Sequence, residues 1–321
     1  MKKLVCIFLG AVCILLLIFS PLLVKGESKE EKPKTTILTV WHIDGFEGGK
    51  GSRYTFLREV ATEFSKKNKG VYTLVSSYTM QGANELLING KTPDLISYGG
   101  VGLNLQNLAK EINFSGIDGG TVGNKRYAVS YLKGGYFAIK KGDGKDKVII
   151  SKGENISTEI ATLFSGVKGE KYLIFSPLDA YATFLTSKSA TLIGTQRDIE
   201  RLLSRGESFT AQPIKDYNDL YQYLSLTTKK PENEYLAKKF FEYVLSESVQ
   251  KKVVNLKMLS VNQTGLYSDN EYLSNLEKTK MKYTFSPFSA KQNLSLACSE
   301  ALKALKNDKD YNEIIKYVKQ L

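Results

Sequence analysis

The spacing of apolar positions changes along the chain, and each change marks a different part. Leu4 to Val24 is an almost unbroken apolar run, preceded by Lys2 and Lys3 and followed by Lys25, Gly26 and a polar stretch from Glu27 to Thr36. A basic start, an apolar centre and the small-residue positions Val24 and Gly26 suit an export signal, and a run of this length also suffices to cross a bilayer. Residues 1–26 are expected to be a signal peptide or an uncleaved membrane anchor, and 27–36 a polar linker. The protein is then exported, to be secreted or held at the extracellular face of the cytoplasmic membrane.

Beyond Thr36 the pattern alternates. Ile37 to Ile43 is β-branched and apolar, and it is broken at Gly45 to Gly51 before a helix with Phe56, Leu57, Val60, Ala61 and Phe64 on one face. A second strand is expected at Val71 to Tyr78, a helix around Asn84 to Ile88, and a third strand at Asp94 to Ser97 after Pro93. Two extended runs follow, Tyr127 to Ser130 and Gly135 to Ile139, ending in the glycine- and lysine-rich turn Lys140 to Lys147. A second unit has strands at Tyr172 to Phe175 and Ala190 to Gly194, with helices around Asp179 to Leu185 and through Ile199, Leu202 and Leu203 to Gly206. Ser208 to Pro213 is extended, and the remainder is mainly helical, with Pro231 opening a helix through Leu236, Ala237, Phe240, Phe241, Val244 and Leu245. Tyr311, Ile314, Ile315 and Val318 repeat at the same spacing. Strands alternating with helices predict an α/β fold whose ligands collect at the carboxyl ends of the strands. The first such ends are His42-Ile43-Asp44, Tyr78-Thr79 and Tyr98-Gly99-Gly100.

Composition narrows the function. With 321 residues, 42% hydrophobic and 24% charged, the chain has room for two domains and is not of disordered composition. Cys6 and Cys13 lie in the first apolar run, so Cys298 has no partner in the body, and the helical spacing around it marks a small buried hydrophobe. Neither early cysteine stands after small residues at the end of the run, so lipid anchoring is not expected. Without residues 1–26 the body carries 42 basic and 33 acidic side chains, a net charge of +9. The lysines are scattered, with no nucleic-acid module, so no nucleic acid is expected; an anionic membrane or cell-wall surface is the simpler partner, and the plainest reading is a solvated lysine-rich surface.

The loop Gly45-Phe-Glu-Gly-Gly-Lys-Gly-Ser52 resembles a phosphate cradle, but a nucleotide loop needs glycine at position 44 and Ser or Thr at 51, where Asp44 and Gly51 stand. Its backbone N–H groups and the following helix N-terminus still suit an anion or a hydroxyl. One histidine, no Gly-x-Ser-x-Gly elbow and no metal-binding spacing argue against hydrolase and metal chemistry, so neither catalytic residues, cofactor nor metal is expected; a glycosidase carboxylate pair is the remaining enzymatic option. Aromatic surface is abundant, with 19 tyrosines, 15 phenylalanines and the single Trp41, and ring faces suit the CH side of a sugar while carboxylates, amides and guanidiniums suit its hydroxyls. Trp41 serves equally as core. In Gly194-Thr-Gln-Arg-Asp198, either the polar groups face a ligand, or Thr195 or Asp198 caps a helix while Arg197 pairs with an acid.

Five stretches resemble the carbohydrate-binding, maltose-binding-protein-like solute-binding proteins of ABC importers. They are Leu38-Thr-Val-Trp-His42, Pro93-Asp-Leu-Ile-Ser97, Val122 to Val129, Leu192 to Ile199, and Ala237 to Ser246 with Gln250. The resemblance implies a two-lobed periplasmic-binding-protein-like (type II) fold with hinge crossover strands. It places lobe 1 at 37–133, lobe 2 at 134–212, a return to lobe 1 at 213–262, and C-terminal helices, mainly of lobe 2, at 263–321. By position it makes Trp41, Asp44, Tyr78, Tyr98 and Gly99 first-lobe ligand contacts, puts Tyr127 and Tyr131 near the hinge, and brings Gln196, Arg197 and Asp198 from the second lobe. The implied function is a monomer, not an enzyme, that captures a sugar or oligosaccharide and hands it to an ABC permease as the lobes close. The alternative is a membrane-anchored surface or signalling protein of the same fold that binds a protein or polymer. The chain is shorter than the oligosaccharide binders it resembles and lacks their lipid-attachment cysteine.

Overall fold

A computed structural model describes residues 35–45, 50–105, 107–114, 119–307 and 312–320. The apolar run 4–24, with the signal or anchor expected there, and residues 46–49 of the glycine-rich loop lie outside the described residues, as does Tyr311. Among the described residues no helix is long and apolar enough to cross a membrane.

The chain opens with β1 (Thr36–Asp44), α1 (Arg53–Lys67), β2 (Val71–Thr79), α2 (Met80–Ile88) and β3 (Leu95–Gly99), then β4 (Val129–Lys133). It continues through β5 (Tyr136–Lys141), β6 (Val148–Ser151), α3 (Thr158–Ser165), β7 (Tyr172–Phe175), α4 (Pro177–Thr186), β8 (Ala190–Thr195), α5 (Gln196–Ser204) and β9 (Thr210–Pro213). After β10 (Tyr221–Leu226) and α6 (Pro231–Val244) the last long elements are α7 (Glu271–Glu277) and α8 (Lys291–Asn307). Among these ten strands, β6 and β10 arise where the hydrophobic pattern predicted none. Both are short and buried throughout, so neither shows the alternation that marks a half-exposed strand.

These strands form two five-stranded sheets, β2-β1-β3-β10-β4 and β9-β5-β8-β6-β7. The same order is used twice. β1 lies between β2 and β3 in lobe 1 and β6 between β7 and β8 in lobe 2, β1 running parallel to β3 and β6 parallel to β7 and β8. The next place is taken by an antiparallel strand next to a crossover, β10 in lobe 1 and β5 in lobe 2. Lobe 1 packs Leu38, Val40 and Leu95 against Phe56, Val60 and Phe64 of α1 and Phe240, Phe241 and Val244 of α6. The lobe 2 sheet is covered on one face by α3 and α8 and on the other by α4 and α7. Cys298 of α8 is part of that core, and burial pushes its thiol well up.

Two crossovers join the lobes side by side. β4 passes into β5 through Gly134-Gly135, and β9 reaches β10 through residues 214–220. The Gly134 N–H donates to Leu220 O (2.6 Å), and Asn218 Nδ2 donates to Gly134 O (3.1 Å). The return to lobe 1 comes later than the position 213 expected. Ile214, Tyr217 and Leu220 belong to the lobe 2 core, because Asp216–Tyr217 pairs in parallel with Met281–Thr284 on that lobe. A third segment crosses where Leu259 exchanges backbone hydrogen bonds with Lys133.

Asp94 ties lobe 1 together. Its carboxylate accepts from the Thr39 N–H and hydroxyl (2.8 Å each) and from the Thr228 hydroxyl (2.5 Å), clamping β1, β3 and the end of β10. Burial opposes its charge, but the hydrogen bonds from Thr228 and Thr39 prevail and hold the carboxyl below the usual range. An Asp94→Ala change leaves these donors unpaired and is expected to cost about 3 kcal/mol, measured by urea unfolding; a loss under about 1 kcal/mol would contradict the clamp.

Candidate functional site

The carboxyl ends of the two sheets face one another across the crossovers, and the lobes meet there. Gly100, just past β3, sits at φ +66°, and a Cβ on it would fall 2.2 Å from the backbone oxygen of Asn155 at the end of the β6 loop. Only glycine fits that approach. The next residue, Val101, belongs to the buried cluster that holds Tyr136, Ile156, Ile160 and Tyr217 of lobe 2. Phe288 returns the contact, its ring 6.0 Å from that of Tyr127 and at 73° to it.

Behind this seam, on the face of the first sheet away from α1, lies an aromatic cluster. Ile43, Ala83, Ile96, Tyr98, Tyr221 and Tyr223 form its buried part, with Trp41, Tyr78, Met80 and Phe288 partly exposed on its rim. The Trp41 and Tyr78 rings are 4.8 Å apart and tilted by 50°. Asp44, at the end of β1, is well exposed (61%) and accepts from the Ser77 hydroxyl. Trp41, Tyr78, Asp44 and the partly exposed Tyr127 are thus the first-lobe candidates with surface left for a ligand.

The others are committed elsewhere. Tyr98 is fully buried, its hydroxyl 3.0 Å from Ser225 Oγ on β10, and burial pushes its pKa up. It is core, because β10 pairs alongside β3 and covers it. Gly99 is likewise buried, paired with Gln222 of β10. Tyr131 is fully buried too, in a polar rung across the sheet. Its hydroxyl lies 2.8 Å from Ser97 Oγ, which lies 3.1 Å from His42 Nδ1 and accepts from Gln222 Nε2 (3.1 Å).

On the second lobe, Asp198 folds back as a helix cap. Thr195 N–H donates to Asp198 Oδ2 (2.9 Å) and the Thr195 hydroxyl accepts from the N–H of Arg197 (3.3 Å), a closed capping box. Burial raises the Asp198 pKa. Gln196 is a hinge residue: its Oε1 accepts from the Gly135 N–H (3.0 Å) and its Nε2 donates to Met258 Sδ (3.1 Å). The local sequence left capping and ligand contact open for this segment; the structure assigns capping to Thr195 and Asp198. Arg197 alone of the three keeps open surface. It lines a cavity of about 470 Å³ with Lys50, Gly51, Glu200, Arg201 and Ser204.

Sequence reasoning missed Val101, Asn155, Arg53 and Arg201. Arg53 was the most readable, since it follows the Ser52 cap, whose hydroxyl accepts from the Thr55 N–H (3.1 Å), directly after the glycine-rich loop.

No protein-family model matches the chain, and no curated protein does so either. Solved structures do match in fold. The sugar-binding protein MalE from the phytopathogen Xanthomonas citri superposes with a TM-score of 0.61 at 11% identity, covering 88% of this chain and 95% of that one. MalE from Bdellovibrio bacteriovorus bound to maltotriose gives 0.54 at 12% identity, covering 85% and 95%. A chitin oligosaccharide binding protein gives 0.56 at 10%, covering 88% and 97%. The architecture is therefore the two-lobed, type II periplasmic-binding-protein fold.

His42 supplies a pH test of the lobe 1 rung. Burial lowers its pKa from 6.5 to about 4, Asp44, 3.6 Å from its Nε2, working against that and Arg53 adding to it. The folded state therefore binds the proton less well than the unfolded chain, so stability is full above pH 6.5 and falls as the pH drops towards 4, by roughly 3 kcal/mol in all. Thermal midpoints followed over that window should lose most of this slope in His42→Gln, and an unchanged slope would place the titration elsewhere.

Proposed function

We propose that this chain is an exported, non-enzymatic binding protein that captures a sugar or oligosaccharide between its lobes and delivers it to an ABC permease when they close. The observation that carries the reading is the duplicated sheet order joined by paired crossovers. It aims the loop-bearing ends of both lobes at one cleft, the geometry of a hinge-closing receptor. The structural neighbours support the ligand class, because they are sugar-binding proteins by description. Trp41 and Tyr78 offer ring faces, while Asp44 and Arg197 offer polar groups from opposite lobes. The protein acts as a monomer, held near an anionic membrane or wall surface by its basic body or by a retained N-terminal segment.

A thermal-shift panel of mono- and oligosaccharides, amino acids, peptides and polyamines tests the ligand class, since a ligand of the folded state alone raises the midpoint. A saturable shift confined to saccharides is expected, with the emission of the single tryptophan changing on the same titration; shifts with peptides or polyamines only would overturn the sugar reading. Gly100→Ala tests closure. The added methyl cannot sit 2.2 Å from Asn155 O, so the variant should show a larger radius of gyration in solution scattering and weaker binding of the same sugar. Wild-type radius with wild-type binding would rule out closure at this seam.

A further inference from the structure

The end of lobe 2 away from the cleft carries a basic groove. β5 leaves the hinge at Tyr136 and ends at Lys141, and the turn that follows leads into Val148 at the start of β6, whose far end faces the cleft. Between that turn, the end of α3 and the close of β9 lies a cavity of about 410 Å³, lined by Lys140, Lys145 and Lys215 with one acid, Asp143. A second cavity, of about 730 Å³, adjoins it across Gly166, Val167 and Lys168, which line both, and adds Lys171 and Lys306 with Glu170. Lys168 is engaged within the protein, whereas the other five lysines are exposed. Five exposed lysines therefore stand against two acids in the described lining. Asp143 is also occupied, since its Oδ1 accepts from the Ser189 hydroxyl and from the Lys145 N–H (3.2 Å). Asp216, next to Lys215 in the chain, pairs with Lys282 (3.3 Å). The carboxyl end of α3 adds only about half a negative charge.

We infer that this groove binds a linear polyanion of phosphodiester units, the chemistry of an anionic wall polymer, and so retains the exported protein outside the membrane. The inference deepens the surface-attachment part of the function proposed above and does not depend on sugar capture. Lysine meets phosphate as a point charge, whereas a carboxylate is best matched by the arginine fork, and the described lining holds no arginine. The ammonium groups are divided between two joined cavities, which suits the successive charges of a chain better than a single small anion. A flat headgroup layer cannot follow the groove inward. A polymer held at this end of lobe 2 also leaves the cleft open to solute.

The test titrates the protein into fluorescently labelled poly(glycerol phosphate) of about ten units and follows anisotropy at two salt concentrations. Saturable binding is expected, weakening at least about tenfold when salt is raised about fourfold, as released counterions compete. Lys140→Gln combined with Lys215→Gln should weaken binding about tenfold. Lys66→Gln combined with Lys69→Gln removes the same charge from exposed positions at the end of α1 and the turn after it, and should change binding less than about twofold. The thermal midpoint of each variant reports whether it folds. Equal losses in the two variants would mark diffuse charge and overturn the groove. Tighter binding of a single-stranded oligonucleotide of equal charge, or binding to phosphatidylglycerol vesicles without binding to the polymer, overturns the wall-polymer assignment. No binding to the polymer overturns it as well, and the saccharide panel still decides the capture function by itself.

Discussion

The structure depends on a backbone approach at the hinge that tolerates no side chain. A Cβ on Gly134 would lie 2.8 Å from Gln196 Nε2, and one on Gly135 would lie 2.4 Å from Leu276 Cδ1. The crossover is thus gripped by α5 on one side and α7 on the other. Below it, the buried Asp219 carboxylate accepts from the Tyr136 hydroxyl (2.5 Å) and from the N–H and hydroxyl of Ser157 (3.1 and 2.5 Å), whose oxygen also meets Tyr217. Burial raises the pKa of Asp219, opposed by these hydrogen bonds. One carboxyl thereby joins the second crossover to β5 and to the start of α3, and the relative position of the two sheets follows from it.

The same demand explains how the polar residues near the cleft are spent. Gln196 holds the hinge, Asp198 and Thr195 hold the first turn of α5, Asp94 holds β1 to β3, and Ser97 links His42, Tyr131 and Gln222 across the first sheet. Buried polar groups must be satisfied, and each of these is satisfied by the protein itself. Of the residues put forward for a site, Trp41, Asp44, Tyr78, Tyr127 and Arg197 keep surface exposed.

Much of the fold was legible because its outer elements are half-exposed. The faces of α1 and α6 repeat at helical spacing, and the Pro93 to Ser97 stretch marks a strand start that Asp94 anchors. The hidden part was the sheet interior. β10 carries Tyr221 and Tyr223 among other buried residues, so no alternation betrays it, and without it Tyr98 and Tyr131 read as strand-end rings rather than core. The same blindness applies to the site. Residue type suggested Gln196, Arg197 and Asp198 together, but their division into hinge, open surface and cap depends on Gly135, Met258 and Thr195, far apart in sequence except for the last. Arg53 stood beside a loop read as suitable for an anion, and only the fold brings it to Met258.

Val101 adds a kinetic consequence. Its side chain is a lobe 1 residue embedded in the lobe 2 core, and withdrawing such a group into water costs about 1.5–3 kcal/mol. Parting of the lobes is handicapped by that amount before any solute is present, a factor of roughly ten to a hundred in population. Under the proposed function this means capture through a scarce open form, with slow association, and the same latch delays escape, so that speed of uptake is traded for long residence of the solute.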